Sequence, residues 1–236
     1  MDLLGPEPIP MATRTSEGAA RVLREAILAG RLKPGEAMPE RLLAEQLGIS
    51  RTPIREAMFI LQGEGLVDLT PNRGATVREI TARDVAQIYS LRAVIESYAA
   101  RTAAETLTDA HLAQLEEAYA RLRRIGTRGT AIEQAQADLA FHVGISAATG
   151  SQFLQTITSQ VLAFTVTYRS RYAYPSRQSG TANRQHRAIL DALRDRDGDL
   201  AETLMREHVT WSRQVALEHF DDAAVPVAPP GGIAGA

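Results

Sequence analysis

Three of the five histidines in this chain of 236 residues stand where a buried apolar residue is expected. Along 129–149 a helical stripe runs Ile132, Ala135, Leu139, His142 and Ile145, and Asp138 lies one turn before His142 on the same face. Along 179–196, His186 aligns with Ile189, Leu190 and Leu193. Along 198–220, His208 falls in the row Leu200, Leu204, Trp211 and Val215. Asp138, His142, His186 and His208 are therefore expected to enter one core from three helices. A single histidine on such a stripe reads as a hydrogen-bonded core residue. Three of them with a carboxylate raise a second chemistry, because an unpaired buried carboxylate is expensive and a divalent cation would relieve that cost. A His₃Asp set suits Zn²⁺, and also Ni²⁺, Co²⁺ or Mn²⁺. The spacing leaves both readings open. His111 and His219 fall off these stripes and read as surface residues. Arg92 also points coreward, either as a clamp on a carboxylate ligand or as the i, i+4 partner of Glu96. Arg169, Arg171, Arg184 and Arg187 are further cation candidates, with solvated faces the expectation for most.

A second constellation lies in the first third of the chain. On a helix over 51–64, Arg51 and Arg55 share a face opposite Ile54, Met58 and Leu61, and Thr52 sits at its N-terminal end. A recognition helix puts its N-terminal residues in the major groove, where Arg pairs bidentately with guanine. Ser50, Thr52 and the first amides of the helix suit a phosphate. Arg41 precedes them on a shorter helix, and Arg73 sits at a hairpin tip. The alternative is a solvated face with intrahelical pairs such as Arg51 to Glu56. Net charge does not decide, since residues 15–80 hold nine basic and nine acidic side chains.

The elements that position these residues follow from periodicity and punctuation. A helix starts near Thr15–Ser16 with Val22, Leu23, Ala26 and Ile27 on one side, and Gly30 stops it. A short helix spans about 39–47. The next runs from about 51 to 64, with Ser50 or Thr52 as its cap and Pro53 in its first turn. Residues 66–69 and 75–77 read as strands joined by the turn Pro71-Asn72-Arg73-Gly74. This is the pattern of a winged helix-turn-helix. Beyond residue 81 strand signals are missing, and six helices are expected near 81–106, 108–126, 129–149, 150–172, 179–196 and 198–220. The fold class is mostly α: an N-terminal winged helix-turn-helix at 15–80 and an all-helical bundle at 81–220. A flexible N-terminal tail at 1–14 and a disordered tail at 221–236 flank them.

Composition sets the outer limits. With 44% hydrophobic and 23% charged residues the chain is globular. The absence of cysteine excludes a disulfide framework, a thiolate zinc finger and a cysteine nucleophile. No apolar run reaches the roughly 18 residues of a membrane span, and no basic-then-apolar leader is visible, so a cytoplasmic protein without membrane contact is expected. The net charge is −2, and 25 of 26 basic residues are Arg.

The stretches Ala26-Ile-Leu-Ala-Gly-Arg-Leu-Lys-Pro-Gly35, Pro39-Glu-Arg-Leu-Leu-Ala-Glu-Gln-Leu-Gly-Ile-Ser-Arg-Thr-Pro-Ile-Arg-Glu-Ala57, Leu61-Gln-Gly-Glu-Gly-Leu-Val67 and Pro71-Asn-Arg-Gly-Ala-Thr-Val77 resemble the GntR family of bacterial transcription regulators. The resemblance implies DNA contacts from Arg41, Ser50, Arg51, Thr52 and Arg55, with Asn72, Arg73 and Gly74 at the wing. Three further pieces resemble the FadR-type branch with its helical FCD domain: Leu91-Arg92-x-x-Ile95-Glu96, Asp138-Leu-Ala-Phe-His142, and Asn183-Arg-Gln-His186 to Leu193 followed by His208. Six helices would place the chain in the shorter, VanR-like group. The resemblance implies a divalent metal, zinc first, held by Asp138, His142, His186 and His208. It also implies a small carboxylate effector, and a homodimer on double-stranded operator DNA. The resulting expectation is a ligand-responsive transcription regulator, a repressor, that senses a small organic acid and is not an enzyme. Competing readings are a regulator that senses the metal itself, a metal-dependent hydrolase, and an architectural DNA binder with a purely structural bundle. No acidic residue is clearly placed as a general base, which weighs against the hydrolase.

Overall fold

The computed structural model describes residues 15–70, 74–126, 128–169 and 176–223. The segments 1–14 and 224–236 lie outside the described residues, as do Asn72, Arg73 and Arg171. The expected fold class is the one observed: a small winged helix-turn-helix head followed by a helical bundle.

In the head, α1 (Ser16–Leu28) begins at Thr15, whose hydroxyl accepts from the Gly18 amide at 3.0 Å. It buries Leu23, Ala26 and Ile27. Next come β1 (Ala37–Met38), α2 (Glu40–Leu47) and α3 (Arg51–Gly63), then the hairpin of β2 (Val67–Thr70) and β3 (Gly74–Val77). Strand β3 is central, antiparallel to both neighbours, with Leu69 opposite Ala75 and Ala37 opposite Thr76. The two-residue β1 was not expected, because two residues carry no detectable period. Gly48 turns α2 into α3 at φ +65, a left-handed conformation that favours glycine. Ile54, Met58 and Leu61 of α3 are fully buried in the head's own core, which leaves the opposite face of α3 to solvent.

The bundle comprises α4 (Ala82–Thr106), α5 (Asp109–Ile125), α6 (Ala131–Ala148), α7 (Gln152–Arg169), α8 (Ser176–Arg194) and α9 (Gly198–Ala223). All six expected helices are present within a few residues. The last runs to Ala223, three residues into the expected tail; α6 and α7 start two residues later than expected and α8 three residues earlier. Thr81 and Asp84 form a capping box at the start of α4, and Thr130 with Glu133 does the same for α6. A second core of Tyr89, Leu115, Phe141, Ile189, Leu190, Leu193 and Met205 fills the bundle. Leu200, expected to face that core, is 45% exposed in the first turn of α9, and Ala201 and Met205 are buried instead.

Candidate functional site

Helices α6, α8 and α9 bring Asp138, His142, His186 and His208 together, and one ligand-capable atom of each lies within 4.8 Å of all the others. All four are buried, the histidines at 1% exposure. Nε2 of His142 is 3.2 Å from Nε2 of His186, and Oδ1 of Asp138 is 3.3 Å from His186 Nε2 and 3.9 Å from His142 Nε2. Around a tetrahedral zinc with Zn–N of about 2.0–2.1 Å, ligand atoms sit roughly 3.3 Å apart. The two shortest separations match that value; the others, at 3.9 Å and up to 4.8 Å, would have to close for a cation to be held by all four.

Two of the three outer nitrogens face an acceptor. His142 Nδ1 is 2.5 Å from Glu96 Oε2, and His208 Nδ1 donates to Gln185 Oε1 at 2.9 Å. Holding the proton on Nδ1 leaves the Nε2 lone pair of each ring for a cation. Burial pushes His186 down to about 3 and His208 well below its ordinary value, so both are neutral at physiological pH. Neutral imidazole is the form that binds metal.

Electrostatics around Asp138 differ from the sequence expectation. Its carboxylate is not unpaired, because Arg169 Nη1 donates to Oδ2 at 2.5 Å. Burial alone would raise the Asp138 carboxyl, but Arg169 and the three imidazoles hold it well below the usual carboxylate range. Arg169 is thus a buried partner at 5% exposure rather than a member of a solvated face. Arg92 is buried too, donating to Glu96 Oε1 at 2.6 Å with its guanidinium 4.7 Å from the centre of the Tyr89 ring. Glu96 is held at about 2, with Arg92 and His142 outweighing burial. Two carboxylates and two guanidiniums balance inside the cluster. The cost of an isolated buried charge therefore does not argue for a cation here; the convergence of the donors does. A small cavity of about 20 Å³, room for roughly one water, lies beside them and is lined by Gln134, Asp138, Arg169, Asn183 and His186. Arg92 does not line it; it stands behind His142, acting through Glu96. Arg184 and Arg187 are exposed and bonded to Thr181 and Asp191.

On the head, Arg41, Ser50, Arg51, Thr52 and Arg55 are all exposed around the N-terminal end of α3. Ser50 takes the N-cap position, but no side-chain capping bond is made by it. The expected cap is absent, so its hydroxyl and the first amides of α3 remain available to a phosphate. Arg55 pairs with neither Glu56 nor its own helix. Its Nε and Nη2 grip Glu40 of α2 bidentately at 3.0 and 2.7 Å. Arg41 pairs with Glu45 at 2.8 Å. Gly74 opens β3 at φ +84. Asn72 and Arg73 of the tip are outside the described residues.

Comparison with known proteins fixes the family. Residues 15–77 match the model of bacterial regulatory proteins of the gntR family, and residues 87–210 match the FCD domain. The HTH-type transcriptional repressor RspR of Escherichia coli K12 is 32% identical over 85% of this chain and 90% of its own. The chain belongs to the GntR family of transcription regulators, with an FCD domain. The Glc operon transcriptional activator of the same organism is 27% identical over 89% of this chain and 94% of its own. Among solved structures, E. coli McbR/YncC superposes with a TM-score of 0.74 at 24% identity, covering 87% of this chain and 98% of that one, which supports the fold. These relatives are regulators rather than enzymes, and no described helix is long and apolar enough to cross a membrane.

Within this GntR-type head and FCD bundle, four residues around the sites were missed from sequence. Glu40 and Gln185 have no stripe signal. The sequence marks Glu96 only as a partner for Arg92, and does not separate Arg169 from the other three cation candidates. A buried charge at the end of α7 is visible only once α6 is packed against it.

Proposed function

We propose that this chain is a dimeric regulator of operator DNA, a repressor, whose bundle holds a divalent cation on Asp138, His142, His186 and His208 and responds to a small carboxylate. The observation that carries the reading is the convergence of those four donors, with Glu96 and Gln185 orienting two of the rings. The cation would supply a Lewis-acid anchor for the effector's carboxylate. Arg169 is the cation of the protein best placed to meet the same carboxylate, since it already lines the cavity and binds a carboxylate there. With only about 20 Å³ available, an acid enters by moving Arg169 or its neighbours, which favours a small one.

The exposed apolar stripe of Leu91, Val94 and Tyr98 on α4, at 49%, 60% and 59% exposure, supports a homodimer. A two-fold axis would lay this patch on its own copy. Two heads would then face two half-sites of a near-palindromic operator. The named relatives include both an activator and a repressor, and a promoter–reporter fusion with and without the acid tests the sign proposed here.

Elemental analysis of never-chelated protein, followed by carboxylate screening of the loaded form by thermal shift, tests the site. About one equivalent of metal per chain is expected. A metal-free core is the second reading, favoured by the Arg169–Asp138 pair, and a persistent zero after added metal selects it. Gln185→Leu removes the acceptor that fixes the His208 ring, so metal affinity in a competition assay is expected to fall about tenfold. An unchanged affinity would show that Gln185 does not orient the ligand.

Arg55→Ala is expected to cost about 1–3 kcal/mol of operator binding and to relax base preference. Glu40 holds that guanidinium in a fixed place beside the N-terminal end of α3, which limits the side-chain ordering left for DNA to impose. A footprint identical to wild type would take Arg55 off the reading face.

A further inference from the structure

Between head and bundle lies a cavity of about 320 Å³ that neither the donor cluster nor the DNA-reading face uses. Its walls are apolar: Leu28 and Leu66 from the head, Leu139 from α6, and Ala163 and Val166 from α7. The carboxamides of Gln136 and Gln160 stand at its exposed side, and each offers both donors and an acceptor. At the head side, Arg24 and Glu64 form a bidentate pair, with Nε to Oε2 at 2.7 Å and Nη2 against Oε1. That pair closes on itself and leaves the cavity without net charge. A charged ligand would lose hydration without gaining a counter-ion, unless it broke the pair.

The cavity borders a direct contact between the two domains. Gly65, between the lining residues Glu64 and Leu66, has φ +70, and a Cβ there would meet the Phe164 ring at 1.7 Å. Phe164 is the neighbour of Ala163 on α7. The head backbone thus rests on an α7 ring at the cavity's rim, and a molecule in the cavity would touch both domains at once.

We propose that this cavity is a second ligand site, for an uncharged, mainly apolar small molecule with one or two hydrogen-bonding groups, and that its occupancy holds the head against the bundle. The volume falls at the lower end of small-molecule pockets, which concentrate at domain interfaces and combine apolar walls with few polar groups. A ligand that needs both walls binds only the arrangement that presents both, and so shifts the population toward it. The site is independent of the donor cluster and stands whether or not a metal is bound there.

The test uses N-phenyl-1-naphthylamine, a neutral dye that fluoresces in apolar surroundings, titrated into the full-length protein. Saturable binding is expected. Ala163→Trp fills the cavity from α7 and is expected to weaken binding at least about tenfold with the helical circular dichroism retained. Leu139→Trp does the same from α6 and decides the matter if the first variant fails to fold. Phe59→Ser, in a separate cavity between α3 and the wing, is expected to leave binding unchanged. The dye should also slow tryptic cleavage after Arg78, in the connector between the domains. No saturable binding, equal binding in both tryptophan variants, or loss of binding in Phe59→Ser would overturn the site. Binding without protection of Arg78 would overturn its link to head placement.

Discussion

His186→Ala is expected to yield a folded dimer that retains no stoichiometric metal, where the wild type retains about one equivalent per chain. His186 stands close to two of the other donors, with Nε2 3.2 Å from His142 and 3.3 Å from Asp138, so its removal takes a donor from the middle of the set. The substituted ring is neutral, so no charge is stranded. Ile189, Leu190 and Leu193 continue to seat α8 in the core, and the α4 stripe is untouched. Stability falls through the cavity left behind. Two measurements follow the change: metal per chain by mass spectrometry, and thermal unfolding with and without a chelator. Wild type should lose stability on chelation, because a ligand bound only by the native state stabilises it by mass action. The variant should show no such difference. Wild-type metal content in His186→Ala would put the ion elsewhere, and a metal-free wild type would select the structural core.

Much of this arrangement was legible in the chain because it depends on short-range periodicity. The stripes that placed His142, His186 and His208 inward are spaced by the helical repeat, which tertiary packing keeps. Ile54, Met58 and Leu61 on α3 faced inward for the same reason, and Arg51 and Arg55 outward. What escaped depends on distant partners. Arg55 chooses Glu40, fifteen residues away on α2, over Glu56 beside it, because neighbours in a helix do not face each other. Arg169 chooses Asp138 across 31 residues, and that single contact changes the electrostatic argument for a metal. Leu200 fits the stripe of α9 by spacing and is exposed all the same, because the first turn of α9 carries Ala201 and not Leu200 into the core. The cavity between head and bundle has no sequence signature, since its walls come from four separate segments.

Arg92→Met is expected to destabilise the metal-free protein by about 3–5 kcal/mol in urea unfolding, the cost of leaving one member of a buried ion pair alone. Both partners are at or below 3% side-chain exposure, so water cannot substitute for the missing guanidinium. The double variant Arg92→Met with Glu96→Leu is expected to recover most of that loss, because removing both charges removes the burial cost of both. It should not recover the site. Glu96 also faces His142 Nδ1 at 2.5 Å, and without that acceptor the ring is free to place its proton on Nε2. Metal affinity in the double variant is therefore expected to stay about 10–100-fold below wild type while stability returns. Such a split would mean that the Arg92–Glu96 pair is kept to hold a ligand ring rather than to hold the bundle. A loss below about 1 kcal/mol in Arg92→Met, the range of exposed pairs, would show instead that the pair reaches solvent. Recovery of both stability and affinity in the double variant would show that His142 is oriented by its packing alone, with Phe141 and the stacked His208 ring as its guides.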